Sequence, residues 1–229
     1  MATPLKRPAT PASASTIKVV ARGKTRAEIY VYGVIGGDWF GDGATAQKFA
    51  DDLKKLGDVS TIDLHIDSEG GSVKDAQAMY TLLVAHPATV NVHIDGWACS
   101  AASFLAMAGS DIAIGEGGMF MIHNARMVAY GEAEDLERGA ALLRTTNQTI
   151  LKKYADRTGV NESKIKDWMD AETWFTGREA VDAGFCSRVV ENLKVAASAN
   201  HDVSRFRNVP KALRGRRNLA AARLAALAK

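Results

Sequence analysis

Three short stretches hold side chains of the types that hydrolytic chemistry needs. The run from His93 to Gly109, "HIDGWACSAASFLAMAG", sets Ser100 among small residues where a strand-like pattern gives way to a helix-like one. A serine there is either a small helix-start residue or a nucleophile held up for attack. Small neighbours are what a tight strand-to-helix turn requires. The first N–H groups of a helix have no carbonyl partner inside it, so they can serve an oxyanion. Cys99 and Ser103 are rival nucleophiles by type. Ser103 falls about one turn inside the helix, where its amide is committed to the ladder. Cys99 faces away from Ser100 if the backbone is extended. The second stretch is "DSEGGSV" (67–73), whose paired glycines can bend sharply and expose N–H groups, as an ordinary turn also does. The third is "GMFMIH", which ends on His123. A histidine at a strand end can point into a cleft as a general base, or it can be structural.

Other patterns drop out. "GKT" (23–25) resembles the end of a phosphate-binding loop, but Lys18 stands where the loop's first glycine belongs. The five histidines have no HExxH spacing and neither cysteine has a nearby ligand partner, so no metal site is expected. "NQT" and "NES" fit glycosylation sequons without a secretion signal to give them meaning.

The elements that must position these residues alternate. "AEIYVYGVI" (27–35), "STIDLHID" (60–67), "TVNVHID" (89–95), "DIAIG", "GMFMIH" and "SRVVE" read as strands, rich in β-branched and aromatic residues. Between them lie helical patterns. One follows 27–35 with Phe49, Leu53 and Leu56 on one face and stops at Gly57. Another spans 72–86 and ends at Pro87. From 134 to 154, Leu136, Ala140, Leu143, Asn147, Ile150 and Tyr154 recur at spacings of four and three, with Asn147 the polar exception. "NESKIKDWMD" is a short helix, and Thr176 with Glu179 forms a capping box opening a helix that Gly184 can close. The alternation predicts an α/β fold with mainly parallel strands.

Length and composition fit one sizeable core: 229 residues, 47% hydrophobic. No 18-residue apolar run predicts a membrane span. The N-terminus is rich in Pro, Ser, Thr and Ala and lacks a signal's apolar stretch. Two cysteines make no disulfide framework, which suits a reduced setting. The net charge of +3 is uneven: from Val195 onward the chain carries +7, the remainder −4. Such a tail can be solvated, or can bind nucleic acid weakly or an acidic protein surface.

The run "GG…GWACSAASFLAMAG…GGMFMIH…ETWFTGREAVDAGF" resembles the ClpP family of serine peptidases, most of all the head maturation (prohead) proteases of bacteriophages and prophages. The resemblance covers about residues 27–192. It implies a ClpP/crotonase-like spiral of β-β-α units with a protruding long helix; outside it, composition predicts a flexible arm (1–26) and a mobile basic tail (193–229). Residue by residue, Ser100 matches the nucleophile, His123 the base and Gly71 an oxyanion-hole donor, with Ala101 N–H the second. Glu172 takes the place of the family's usual aspartate, Asp170 is the alternative acid and Asp167 a distant third. The resemblance further implies an ATP-independent endopeptidase that cuts scaffold or capsid-protein extensions, and itself, inside the assembling phage head in the host bacterial cytoplasm. No cofactor is implied, and the expected assembly is a ring-like homo-oligomer. Two alternatives stand beside it. One is a housekeeping ClpP-type peptidase fed by an ATP-driven unfoldase; the other is an acyl-CoA-binding enzyme on the same crotonase-like fold.

Overall fold

A computed structural model describes residues 16–37, 43–191 and 201–214. The chain runs β1 (Thr16–Arg22), β2 (Arg26–Gly37), β3 (Gly43–Ala44), α1 (Ala46–Lys54), β4 (Thr61–Gly71), α2 (Val73–Ala85), β5 (Thr89–Cys99) and α3 (Ala101–Ala106). It continues through β6 (Asp111–Gly115), β7 (Met119–Ile122), α4 (Ala133–Thr158), α5 (Glu162–Asp170), β8 (Thr173–Thr176), α6 (Gly177–Asp182) and β9 (Arg188–Val190). A 3-10 turn (Val203–Arg205) and α7 (Lys211–Arg214) end the described chain.

One twisted sheet has the order β1-β2-β4-β5-β6-β9, with β7 also paired to β5 and β8 to β7. The β2-β4-β5-β6-β9 pairings are parallel, as the strand–helix alternation predicts. Side chains alternate across a strand, so Ile62, Leu64 and Ile66 of β4 line up with Val90, Val92 and Ile94 of β5 on one buried face. Phe49 and Leu53 of α1, Met79 and Leu83 of α2, and all six residues of α3 close over that face. The other face of β2, β4 and β5 carries a polar row instead. Tyr32 Oη donates to Asp95 at 2.6 Å, and His65 Nδ1 lies 2.9 Å from the same carboxylate.

The long helix extends past the expected bounds and ends at Gly159 in a left-handed cap. Its buried residues, Ile150, Leu151 and Tyr154, all lie in the C-terminal half, so the N-terminal half protrudes. Asn147, the polar interruption of its stripe, accepts the Ala125 N–H at 2.7 Å and ties the helix to the segment after β7. Gly177 begins the capped helix foreseen from Thr176 and Glu179, with both bonds of the box present.

Three expectations need correction. The arm does not extend to residue 26, because β1 pairs antiparallel with β2 from Thr16↔Tyr32 to Arg22↔Arg26 and buries Ile17. Residues 1–15 lie outside the described chain. β8 was not foreseen; its four residues pair with β7 and run straight into the capping box, which hides the strand in a helix-start signal. Nor is the basic tail outside the domain throughout. Residues 201–214 pack on it, with Phe206 and Val209 buried beside Cys99 and Met121. Residues 192–200 and 215–229 lie outside the described chain.

Candidate active site

β5 ends at Cys99 and α3 starts at Ala101, and the single residue between them turns the chain. Ser100 sits at φ 57°, ψ −123°, a conformation costly for any residue with a Cβ. Its N–H donates to Met121 O at 2.9 Å, tying the elbow to β7. Its carbonyl accepts from Ser103 N at 3.0 Å and Phe104 N at 3.3 Å. Ser100 makes no side-chain cap, which leaves its hydroxyl for other work. The glycine corner ending β4 presses against this elbow. A Cβ on Gly70 (φ +88°) would come within 2.8 Å of Ala101 N and 2.9 Å of Ser100 Cβ. A Cβ on Gly71 (φ +150°) would overlap the Ile35 carbonyl oxygen of β2. Both positions demand glycine. Gly70 is the member of the glycine pair to which the resemblance assigns no role.

His123 follows the last residue of β7 and aims Nε2 at Ser100 Oγ, 2.7 Å away. Burial, then the Arg126 charge, lower the imidazole to about 4 despite the nearby Glu172 carboxylate. The rival nucleophiles are occupied elsewhere. Ser103 Oγ donates to Ser100 O at 2.6 Å and lies 2.8 Å from Tyr154 Oη, inside the core. Cys99 is fully buried on the opposite face, where burial pushes its thiol well up. A small pocket of about 10 Å³, room for roughly one water, opens beside Ser100 and is lined by Val73, Phe104, Ala125 and Ile150 among others.

The acid candidates separate clearly. Asp167 and Asp170 are both exposed on α5. Asp170 accepts from Asn124 Nδ2 at 2.7 Å and Lys166 Nζ at 2.5 Å. Glu172 is buried, with Oε2 at 3.7 Å from His123 Nδ1. It stands at φ 51°, and among the described residues it shares positive φ outside glycine with Ser100 alone. Its Oε2 accepts from Arg126 Nη2; its Oε1 accepts from the Arg207 N–H at 2.7 Å and the Asn208 N–H at 2.8 Å. Burial works to raise this carboxyl, but the Asn208 amide, Arg126 and the Arg207 amide outweigh it and hold it low. No described hydrogen bond reaches the buried His123 Nδ1.

The stretch from His201 to Val209 forms a strap over this region, and sequence reasoning missed it. His201 lies between Asp67 Oδ1 (2.8 Å) and Glu69 Oε2 (3.0 Å) and stacks on Trp97 with ring centroids 4.6 Å apart. Arg205 donates to the Glu69 carbonyl at 3.0 Å, and its own carbonyl accepts from Arg126 Nη1 at 2.7 Å. Phe206 sets its ring against His123 and Trp174, with centroids 5.7 and 5.4 Å away. A signal was present: Phe206 and Val209 are apolar side chains at a spacing of three within a basic run.

Known proteins share this architecture. A family model described as Clp protease matches residues 42–193, ending before the strap. The ATP-dependent Clp protease proteolytic subunit 1 of Streptomyces avermitilis is 33% identical over 139 residues, which are 58% of this chain and 62% of that one. The chain therefore spans less than two thirds of that relative's length. Subunit 1 from Mycobacterium tuberculosis is 27% identical over 145 residues, 60% of this chain and 70% of its own. The solved structure of a ClpP1 mutant from Listeria monocytogenes overlays with a TM-score of 0.63 at 23% identity, covering 72% of this chain and 91% of that one, a likeness of fold.

Proposed function

The chain belongs to the Clp protease family, and from that premise we propose that it is a serine endopeptidase working through Ser100, His123 and Glu172. The observation that carries this reading is the 2.7 Å contact between His123 Nε2 and Ser100 Oγ at a strained elbow. In the reaction, His123 takes the Ser100 proton as Oγ bonds to the peptide carbonyl carbon. The N–H groups of Gly71 and Ala101 receive the oxyanion, each such donor worth about 3 kcal/mol in comparable sites. His123 then gives its proton to the leaving amine, the C–N bond breaks, and water releases the acyl group by the same steps in reverse order. Glu172 holds the imidazole in the required tautomer once it accepts from Nδ1.

The relatives' names support a ClpP-type setting, in which a separate ATP-driven unfoldase feeds the chamber of a ring-like homo-oligomer. A phage head-maturation protease acting on scaffold or capsid protein without ATP is the second reading. In its favour is the C-terminal extension beyond the family match, seated on the site. The acyl-CoA-binding reading has no observation of this site behind it. A serine-directed fluorophosphonate, with the adduct mapped by mass spectrometry, tests the peptidase: label on Ser100 supports it and an unlabelled Ser100 overturns it. Digestion of a candidate capsid or scaffold protein, with and without an unfoldase and ATP, separates the two settings. Discrete cuts without ATP point to head maturation; processive loss only with the unfoldase points to the housekeeping role.

A further inference from the structure

The strap and the acid are joined more tightly than packing alone requires. Both carboxylate oxygens of Glu172 are taken, one by Arg126 and the other by the strap amides of Arg207 and Asn208. Arg126 is itself held to the strap through the Arg205 carbonyl. Meanwhile, among the described residues, two buried side-chain polar atoms lack a hydrogen-bond partner, His123 Nδ1 and Trp174 Nε1. Both belong to rings that Phe206 covers edge-on. A buried N–H left unpaired is costly. The seated strap thus satisfies the acid at the expense of the base.

We propose that Arg126 and strap residues Arg205–Asn208 are positioning residues that hold Glu172 out of reach of His123, so the chain rests with its triad unmade and becomes competent when this stretch lifts. The proposal rests on the peptidase reading above. Its chemistry concerns the tautomer. With no acceptor at Nδ1, the neutral ring is better served by carrying its proton on Nε2, pointing at Ser100. That form cannot take the serine's proton. The productive form needs the proton on Nδ1 and a carboxylate to receive it, and losing that form by acid replacement has cost ~10⁴ in a measured triad.

The strap acts from one side only. It packs on Cys99, Met121, Trp97 and Trp174, whereas the pocket beside Ser100 is walled by α2, α3 and α4, and no strap residue lines it. Lifting the strap therefore changes the chemical step rather than access to the pocket. Its holding contacts are polar at one end and apolar at the other: His201 between Asp67 and Glu69, and Phe206 on His123 and Trp174. A partner or a cut that disengages this stretch would make the triad.

Two variants of the full chain test this. Arg207→Pro deletes one N–H that holds Glu172; Phe206 before it is extended (φ −97°, ψ 148°), which a following proline tolerates. Phe206→Ala loosens the strap without touching the backbone and serves if the proline variant folds poorly. We expect fluorophosphonate labelling of Ser100 and kcat for a short peptide ester to rise about tenfold or more in both, part of the span a correct tautomer commands. KM should stay unchanged. A far-downfield proton resonance from His123 Nδ1–H should appear in the variants and be absent from the parent. Lower labelling in variants that melt like the parent, or an Nδ1 resonance already present in the parent, overturns the latch and leaves the peptidase reading standing. If no form labels at Ser100, the peptidase reading itself falls, and the Nδ1 resonance alone then decides whether the strap withholds the acid.

Discussion

His123 Nδ1 faces Glu172 Oε2 across 3.7 Å, while Nε2 of the same ring is 2.7 Å from Ser100 Oγ. One side of the relay is a hydrogen bond and the other is a gap. The gap is small enough for a side-chain movement to close. Glu172 stands at φ 51° at the mouth of β8, so its backbone is fixed by the strand and its side chain alone must move.

That geometry ranks the acids. Glu172→Gln keeps the shape but cannot stabilise an imidazolium, and its kcat should fall by about 10³- to 10⁴-fold, as when a triad acid becomes its amide. Asp170→Asn removes a charge that faces Lys166 and Asn124 at the surface and should leave kcat within about twofold, since exposed pairs are worth ~1 kcal/mol or less. Kinetics of the two variants on one peptide check this, and the reverse order would move the acid to Asp170.

The serines differ in kind as well. Ser100→Ala should abolish labelling and hydrolysis with little change in melting. Ser103→Ala should keep Ser100 reactive but destabilise the fold by about 1–3 kcal/mol, because it removes the hydrogen-bond partner of the buried Tyr154 Oη; Ser100 O keeps the Ser103 and Phe104 amides. Labelling and thermal melts, read together on both variants, separate a nucleophile from a core hydroxyl.

How much of this was legible in the sequence depends on range. The strand–helix alternation, the elbow at Ser100 and the capping box at Thr176 are local patterns, and each appears where its residues predict. β1 was lost because its alternation begins inside a Pro- and Ser-rich stretch. The strap was lost because basic composition suggests solvation, yet Arg205 bonds a β4 carbonyl and the flanking Phe206 is buried. Asn147 looked like a flaw in a stripe until a backbone N–H from another segment met it. The resemblance pointed to Ser100, His123 and Glu172, but nothing in spacing tells that the carboxylate is engaged by a segment over thirty residues downstream.

Strap seating should depend on pH through His201. Burial pulls this imidazole down, but Asp67 and Glu69 outweigh it and raise it to about 9, with the Trp97 ring of β5 stacked on it. A raised pKa means the charged form favours the seated strap. The contribution is complete below the ordinary histidine value of about 6.5 and is lost as pH rises through about 9. Hydrogen exchange at the Arg207 and Asn208 amides, corrected for intrinsic rates, should lose protection across that window. His201→Gln should flatten the dependence; an equally steep loss in that variant would assign it to another group.

Assembly follows from what the fold leaves bare. Val128 and Tyr130, between β7 and α4, are 95% and 94% exposed, and Leu142 on the protruding half of α4 is 62% exposed. Met127 and Leu136 add to the same apolar region, and Gly139 of α4 lies 3.6 Å, measured from an added Cβ, from the Met127 sulfur. Large apolar side chains this exposed, on a segment and a helix that meet at Met127 and Gly139, are what a contact with another chain would cover. A second copy of this chain is the partner expected of a ring-forming peptidase. Light scattering of the full chain should therefore give a mass several times 24.5 kDa. Val128→Asp and Leu142→Asp place charges on exposed positions, so they should leave the protomer's fold and melting nearly intact while shifting the mass toward the monomer. Burying an unpaired carboxylate in an interface is expensive, and each substitution should weaken association by at least an order of magnitude, ~1.4 kcal/mol or more. A parent protein that scatters as a 24.5 kDa monomer while turning over peptide would show that the site works without a ring. Unchanged masses in both variants would place the contact elsewhere on the molecule.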